Sequence, residues 1–462
     1  MQPTDATAAD FVPPCPMRPD RPLTAWDVLA LARKDFLSLW APGDFATRFR
    51  VVTIFRRRIL IVNSPKLVQE AFHTNHTIFQ RKSPQMRHAL KPLIGDGLFI
   101  SDHEVWARRR RIVGPIIHTA RVPGFVPVMI RAIEEKRDEW LAQGDGAQID
   151  ALADMARLTA EIICRTIFGQ ELGRHHADEI VAGFSDYQAR IDQFDLFTAL
   201  GLPDWLPRFR NRGVRKATAR VLRALDAIIA GIASTGVKDD ASVIGGLLSA
   251  RDEDGTPLGP DAIRNEAAVI FMAGHETTAN TLAWAWYLLS QSPRVADRLR
   301  AEVDEVLADC APSFADVHRL PYTRAVIEET LRLYPPVPIL AREASGDGMT
   351  LDQPVSKGTL LLVVPWMLHR SPNFWPDAAA FRPERHMEAK SPSKYLYIPF
   401  SIGPRVCPGQ VFGMTEAILS LAILARRVTL DLVPGTDVQP VCRLTLRPGD
   451  TLPMILRLRD VA

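Results

Sequence analysis

One stretch combines a soft metal ligand, a permanent cation and two glycines: Phe400-Ser-Ile-Gly-Pro-Arg-Val-Cys-Pro-Gly409. An apolar run that reads as a helix follows it, Val411 to Leu424. A cysteine at a helix N-terminus is stabilised as thiolate by the dipole and by free backbone N–H groups. Gly403 and Gly409 let the backbone approach a flat ligand and turn N–H groups toward the Cys407 sulfur. Arg405, two residues before the cysteine, is a planar donor suited to a carboxylate. A haem calls for these parts together, a thiolate on the iron and a cation on a propionate. Taken singly, a cysteine in a turn is more often a small buried hydrophobe.

Polar residues in the middle of an apolar helix demand partners or a function. The segment from Pro260 to about Ser292 is such a helix, and Ala273-Gly-His-Glu-Thr-Thr-Ala-Asn280 is its polar centre. His275-Glu276 opens like the zinc motif H-E-x-x-H, but position 279 is Ala279, so the motif fails. Glu276 beside Thr277 is an acid–alcohol pair suited to moving protons. His275 reads as a packing residue. Trp106 and Arg110 lie four apart on one helix face, where an indole N–H and a guanidinium can grip one carboxylate. An amphipathic surface helix with a packing tryptophan would look the same. Glu329 and Arg332 are spaced i, i+3 among Val326, Ile327, Leu331 and Leu333, which points to a buried ion pair in need of a third group.

In this order and spacing, the motifs resemble those of the cytochrome P450 haem-thiolate monooxygenases, over nearly the whole chain. The resemblance implies a mainly α fold, a helical triangular prism with small β-sheets. Haem b would lie between the long central helix and the cysteine loop. One oxygen atom of O2 would be inserted into a hydrophobic small molecule, a fatty acid, terpenoid or similar. Cys407 would bind the iron within the loop of Phe400, Gly403, Arg405 and Gly409. Trp106, Arg110 and Arg342 would meet the propionates. Ala273 and Gly274 would form the distal wall, with Gly274 leaving room for dioxygen. Glu276 and Thr277 would deliver protons. Phe381-Arg-Pro-Glu-Arg385 resembles a family segment through which Arg385 completes a structural network with Glu329 and Arg332. Ser371 and His386 depart from the family pattern and put local packing in question. Peroxygenase and isomerase relatives usually lack the acid–alcohol pair, and a haem gas sensor would carry an output domain.

These residues need elements to hold them. Trp26 to Leu39 reads as one helix. Phe49–Phe55 and Ile59–Val62 read as a hairpin, and Asn63-Ser-Pro caps the next helix. Helical spacing runs from Met129 to Leu141 and from Ile149 to Phe168. An aromatic patch follows: Tyr187, Phe194, Phe197, Trp205 and Phe209, by resemblance a lid over the substrate. Phe271, Val337, Ile339 and Leu340 are the expected apolar pocket lining. Leu360 to Pro365 is a buried strand, and the C-terminal end is strand-rich around a turn at Arg447-Pro-Gly-Asp450.

The 462 residues are 47% hydrophobic and 24% charged, without linker or repeat, so one domain over 1–462 is expected. A net charge of +3 implies no nucleic-acid partner. Five scattered cysteines form neither a disulfide framework nor a zinc site, which fits a reducing, cytoplasmic setting. The polar, proline-rich start offers no membrane anchor. No flavin, nicotinamide or iron–sulfur motif is present. Electrons are therefore expected from a separate ferredoxin and its reductase, docking on Arg108, Arg109 and Arg111.

Overall fold

The apolar run that begins at Pro260 folds as one helix of 31 residues, Pro260–Ser290, with Pro at its first turn where a missing N–H costs nothing. Everything else is arranged around it. The computed structural model describes residues 10–54, 57–190, 212–235, 242–308, 311–388 and 392–460. The principal helices are α1 (Pro84–Ile94), α2 (His103–Ile116), α3 (Val122–Gln143), α4 (Ala151–Phe168), α5 (Gln170–Arg190), α6 (Arg212–Thr235), α7 (Pro260–Ser290), α8 (Pro293–Val306), α9 (Pro321–Leu333) and α10 (Gln410–Arg427). Helix α7 packs along α4 on one side and against α9 and α10 on the other. Its side chains from Ala279 to Leu289 are buried all round, and all but Asn280 and Thr281 are hydrophobic, a surface that only a central helix can carry.

The strands stand aside from this bundle. In chain order they are β1 (Phe49–Ile54), β2 (Arg57–Val62), β3 (Arg81–Lys82), β4 (Gln148–Asp150), β5 (Leu340–Glu343), β6 (Gly348–Thr350), β7 (Gln353–Val355), β8 (Leu360–Val363), β9 (Val428–Leu432), β10 (Val441–Cys442), β11 (Leu446–Arg447) and β12 (Pro453–Leu458). The largest sheet has the order β1-β2-β8-β5-β3. Its β2–β8 pair is parallel and the others are antiparallel. The β5–β3 register sets Arg342 opposite Lys82. A second sheet, β4-β12-β9, and two short strand pairs complete the β structure.

Several local expectations need correction. Trp26–Leu39 is not one helix: Asp35 is extended and its side chain accepts from the Leu37 N–H, ending Ala25–Lys34 and starting a 3₁₀ turn at Phe36–Leu39. Asn63 and Ser64 make no side-chain cap; Asn63 instead donates to the carbonyls of Phe45 and Thr47. Ile149 belongs to β4, and the helix starts at Ala151. Of the aromatic patch, Tyr187 is buried and donates to the Ala89 carbonyl. Phe194, Phe197, Trp205 and Phe209, like Phe55, lie outside the described residues. One 18-residue window within His103–Gln143 is long and apolar enough for a membrane span. That stretch is two helices, α2 and α3, and Ile112, Val113, Phe125 and Met129 on them are core.

Candidate active site

The cysteine loop is closed by its own backbone: the Cys407 N–H donates to the Phe400 carbonyl at 2.9 Å. Gly403 has φ +77°, and a Cβ there would overlap the Phe72 carbonyl oxygen. Its glycine is thus required by the loop's docking on Glu70–Thr74. Gly409 ends the loop at the N-cap of α10 and turns its N–H to the Cys407 sulfur. Burial pushes the Cys407 thiol up, while the Gly409 N–H, Arg110 and Lys82 act in the opposite direction. Metal coordination would remove the proton outright.

The sulfur looks into a cavity with about 2100 Å³ of atom-free space, part of it open to solvent. Phe400, Arg405 and Gly409 line it on the cysteine side, and Ala273, Gly274 and Thr277 of α7 on the other. Val337, Ile339 and Leu340 line it as expected. Phe271 does not; it is buried between helices, edge-on to Phe184 and stacked on His275 at 5.4 Å. His275 is buried too, its ring nitrogens without hydrogen-bond partners among the described residues, and burial lowers it to about 4, so it is neutral. The Ala156 carbonyl favours the charged form without reaching hydrogen-bond geometry. Gly274 has a packing role as well as its place on the cavity wall. A Cβ there would lie 2.8 Å from the Ile163 Cδ1, so the glycine serves the close approach of α4 to α7.

Four cations border the cavity: Lys82, Arg110, Arg342 and Arg405. Lys82 and Arg342 are cross-strand partners, a placement that is destabilising for like charges. Burial lowers Lys82 well below its ordinary value, Arg342 to about 10 and Arg405 to about 9, with the other cations adding to the effect on Lys82 and Arg405. Burial also lowers Arg110, while Cys407 opposes it. The Arg405 guanidinium lies 4.7 Å over the Trp106 ring and donates to the Ser101 carbonyl at 2.6 Å. Among the described residues none of the four has a carboxylate within ion-pair distance. Arg342 is buried and the other three are partly buried; cations removed from water without a counter-charge are costly, so the cluster suits an anionic ligand. A flat dianion with a metal at its centre, bracketed by Cys407, fits this donor set; haem with its two propionates is such a group. Lys82 went unread in the sequence, because only the β3–β5 register brings it to Arg342.

On α7, Thr277 faces the cavity and its hydroxyl donates to the Ala273 carbonyl at 2.7 Å. Glu276 is buried, and both of its oxygens are engaged. The Gln188 amide of α5 donates to one, and Arg447 of β11 to the other at 2.5 Å. The same terminal hairpin meets α7 again at Asn280, which donates to the Thr445 hydroxyl at 2.9 Å. Neither Gln188 nor Arg447 carries a sequence signal for this role.

A cytochrome P450 family model matches residues 48–451. The chain belongs to the cytochrome P450 family. Cyclooctatin synthase of Streptomyces melanosporofaciens is 34% identical over 436 residues, covering 92% of each chain. The cyclooctat-9-en-7-ol 5-monooxygenase of the same organism is 30% identical, covering 91% of this chain and 90% of the relative. The crystal structure of the cytochrome P450DA heme domain superposes with a TM-score of 0.82 at 24% identity, over 97% of this chain and 99% of that one, which shows the fold. The protein is a cytochrome P450 monooxygenase with haem as its cofactor, O2 as co-substrate and hydrophobic substrates.

In this P450 the network behind the cysteine loop has four side chains rather than three. Arg332 clamps Glu329 at 2.7 and 2.8 Å, Arg385 reaches it at 3.0 Å and His386 at 2.9 Å. His386, a departure from the family pattern, is therefore a working member. Burial would raise Glu329, but Arg332, His386 and Arg385 hold it far below the carboxylate range. Arg332 also donates to the His369 carbonyl, and the His369 ring accepts from the Ile398 N–H at 2.9 Å, two residues before Phe400. Of the basic patch Arg108, Arg109 and Arg111, only Arg108 and Arg111 reach the surface, and both are ion-paired there. Arg109 is buried against Asp96 and Glu266, and Arg108 and Arg111 pair with Asp252 and Glu253.

Proposed function

We propose that this P450 binds haem b, takes electrons from a separate ferredoxin and its reductase, and hydroxylates a neutral terpenoid-like molecule. The cation placement carries the substrate reading. Every basic side chain that borders the cavity among the described residues belongs to the cluster assigned to the propionates. Among the described residues no cation is left over for the carboxylate of a fatty acid, and the remaining wall is mainly apolar, with Met86, Leu90, Val269 and Leu444 among its residues. The relatives named for cyclooctatin chemistry point the same way. A single P450 domain over 1–462 and a cytoplasmic setting belong to the same proposal.

When bound, haem supplies the activation of dioxygen, and a thiolate donor favours O–O cleavage. The protein's part is positioning and proton supply. Cys407 offers its sulfur from a loop fixed by the Phe400 carbonyl and the Gly409 N–H. Trp106, Arg110, Arg342, Arg405 and Lys82 border the same cavity and would hold the carboxylates of that group. Ala273 leaves a small side chain at the distal wall. Thr277 has its hydroxyl proton parked on the Ala273 carbonyl, one bond rotation from the cavity. Glu276 is the acid–base group behind it, and Arg447 and Gln188 keep its carboxylate in place until a water takes over one of those bonds.

Spectral titration separates the substrate classes. Diterpene alcohols are expected to shift the haem spin state at concentrations where fatty acids of matched carbon number do not. Preference for the fatty acids would overturn the reading.

A further inference from the structure

Helix α7 carries a second buried acid that oxygen chemistry does not use. Glu266 has no solvent exposure and lies seven residues, two helical turns, before Ala273. Its carboxylate receives the Leu98 N–H on both oxygens, at 3.0 and 3.2 Å. The Arg109 Nε of α2 stands 3.4 Å from it. The same Arg109 donates to both oxygens of Asp96 at 3.2 Å, and Asn265 donates to Asp96 at 3.0 Å. The loop backbone is pressed onto α7. At Gly95, with φ +53°, a Cβ would overlap the Asn265 side chain, and at Gly97 it would lie 2.6 Å from the Val269 Cγ2. The next two residues, Leu98 and Phe99, line the substrate cavity, and the Lys82 ammonium sits 4.4 Å over the Phe99 ring.

We infer that Glu266 is a positioning residue for substrate selection: through the Leu98 N–H and Arg109 it fixes the Leu98–Phe99 segment as one wall of the cavity. An apolar residue of similar size would fill this site at lower cost than a buried carboxylate with one long-armed partner. What it could not do is hold a backbone N–H that belongs to neither helix nor strand, and that N–H sets where the wall stands. Burial pushes Glu266 up to about 7, with the Leu98 N–H and Arg109 opposing and Asp96 adding to the rise. Arg109 and Asp96 are the charged groups facing it. The assignment rests on the cavity and on family membership, not on the roles proposed for Glu276 and Thr277.

The test uses holoenzyme carrying Glu266→Leu, with Glu266→Gln and Arg109→Met as milder variants. The probes are imidazole, which reaches the iron alone, and clotrimazole, whose bulk reaches the wall. Clotrimazole affinity is expected to fall about tenfold or more in Glu266→Leu, less in Glu266→Gln, which keeps one acceptor for the Leu98 N–H. Imidazole affinity and the carbon-monoxide spectrum are expected to stay within twofold and unshifted. Hydrogen exchange of the 95–101 peptide, read without any haem ligand, is expected to accelerate in the same order. If Glu266→Leu does not fold, the two milder variants carry the comparison. Unchanged exchange together with unchanged clotrimazole affinity would overturn the assignment, as would an equal loss for both azoles.

Discussion

Replacing Glu329 with Gln removes one charge from a site that no water reaches. The carboxylate accepts from Arg332 Nε and Nη2, Arg385 Nε, His386 Nε2 and the Arg382 N–H. Gln offers one oxygen in its place and turns an NH2 toward donors. Arg332 keeps the carbonyls of His369, Ala378 and Ala380, and Arg385 keeps that of Pro376, so both guanidinium groups stay buried without countercharge. Breaking one side of a buried pair typically costs about 3–5 kcal/mol. That is a large share of a total stability of about 5–15 kcal/mol. Urea unfolding followed by the Soret band reads the loss. Because Arg332 reaches the cysteine loop through His369 and Ile398, haem release is expected at lower urea than the loss of helical signal. Arg385→Met is expected to cost less, since Glu329 keeps Arg332 and His386. A Glu329→Gln protein within about 1 kcal/mol of wild type, with full haem content, would refute this reading of the network.

Four further outcomes are expected. Lys82→Met should weaken haem retention yet raise the stability of the haem-free protein, because it removes one of four crowded cations; measuring both separates this from a simple packing defect, which would lower both. Thr277→Ala should retain haem and substrate binding while diverting turnover into peroxide release, and Arg447→Met should slow product formation about tenfold or more with an altered pH profile; unchanged coupling would remove Thr277 from proton delivery, and an unchanged rate and profile would remove Arg447 from holding Glu276. Glu266 has a folded value raised from 4.5 to about 7, so its contribution to stability is complete below pH 4.5 and is lost as pH rises to about 7. That span corresponds to about 3 kcal/mol. The stability of wild type relative to Glu266→Gln should fall by that order between pH 4.5 and 7.5, whereas a constant difference would contradict burial as the cause of the raised value.

Much of the site was legible where the geometry is local. Trp106 with Arg110 and Glu329 with Arg332 sit on single helices, and the cysteine loop is ten consecutive residues, so spacing alone places them. What could not be read is closed by long-range register. Lys82 meets Arg342 only through β3–β5 pairing, and Arg447 meets Glu276 across 171 positions. His386 was visible as a departure but not as a ligand of Glu329, because its partner lies 57 positions away. Glu266 did leave a signal: a charged residue in an apolar helix, two turns before the polar centre. Arg109 left the expected docking patch for a related reason, since consecutive arginines on a helix point in different directions and Arg109 points inward. What spacing did not show at Gly274 and Gly403 is a packing demand: their missing Cβ atoms make room for Ile163 and for the Phe72 carbonyl.

The central claim is a bond from the Cys407 sulfur to a haem iron. The absorption spectrum of the reduced, carbon-monoxide-treated protein tests it most directly. A strongly red-shifted Soret band, lost in Cys407→His while haem is retained, is the expected result. A colourless wild-type protein, or a band at the position of histidine-ligated haem proteins, would contradict it.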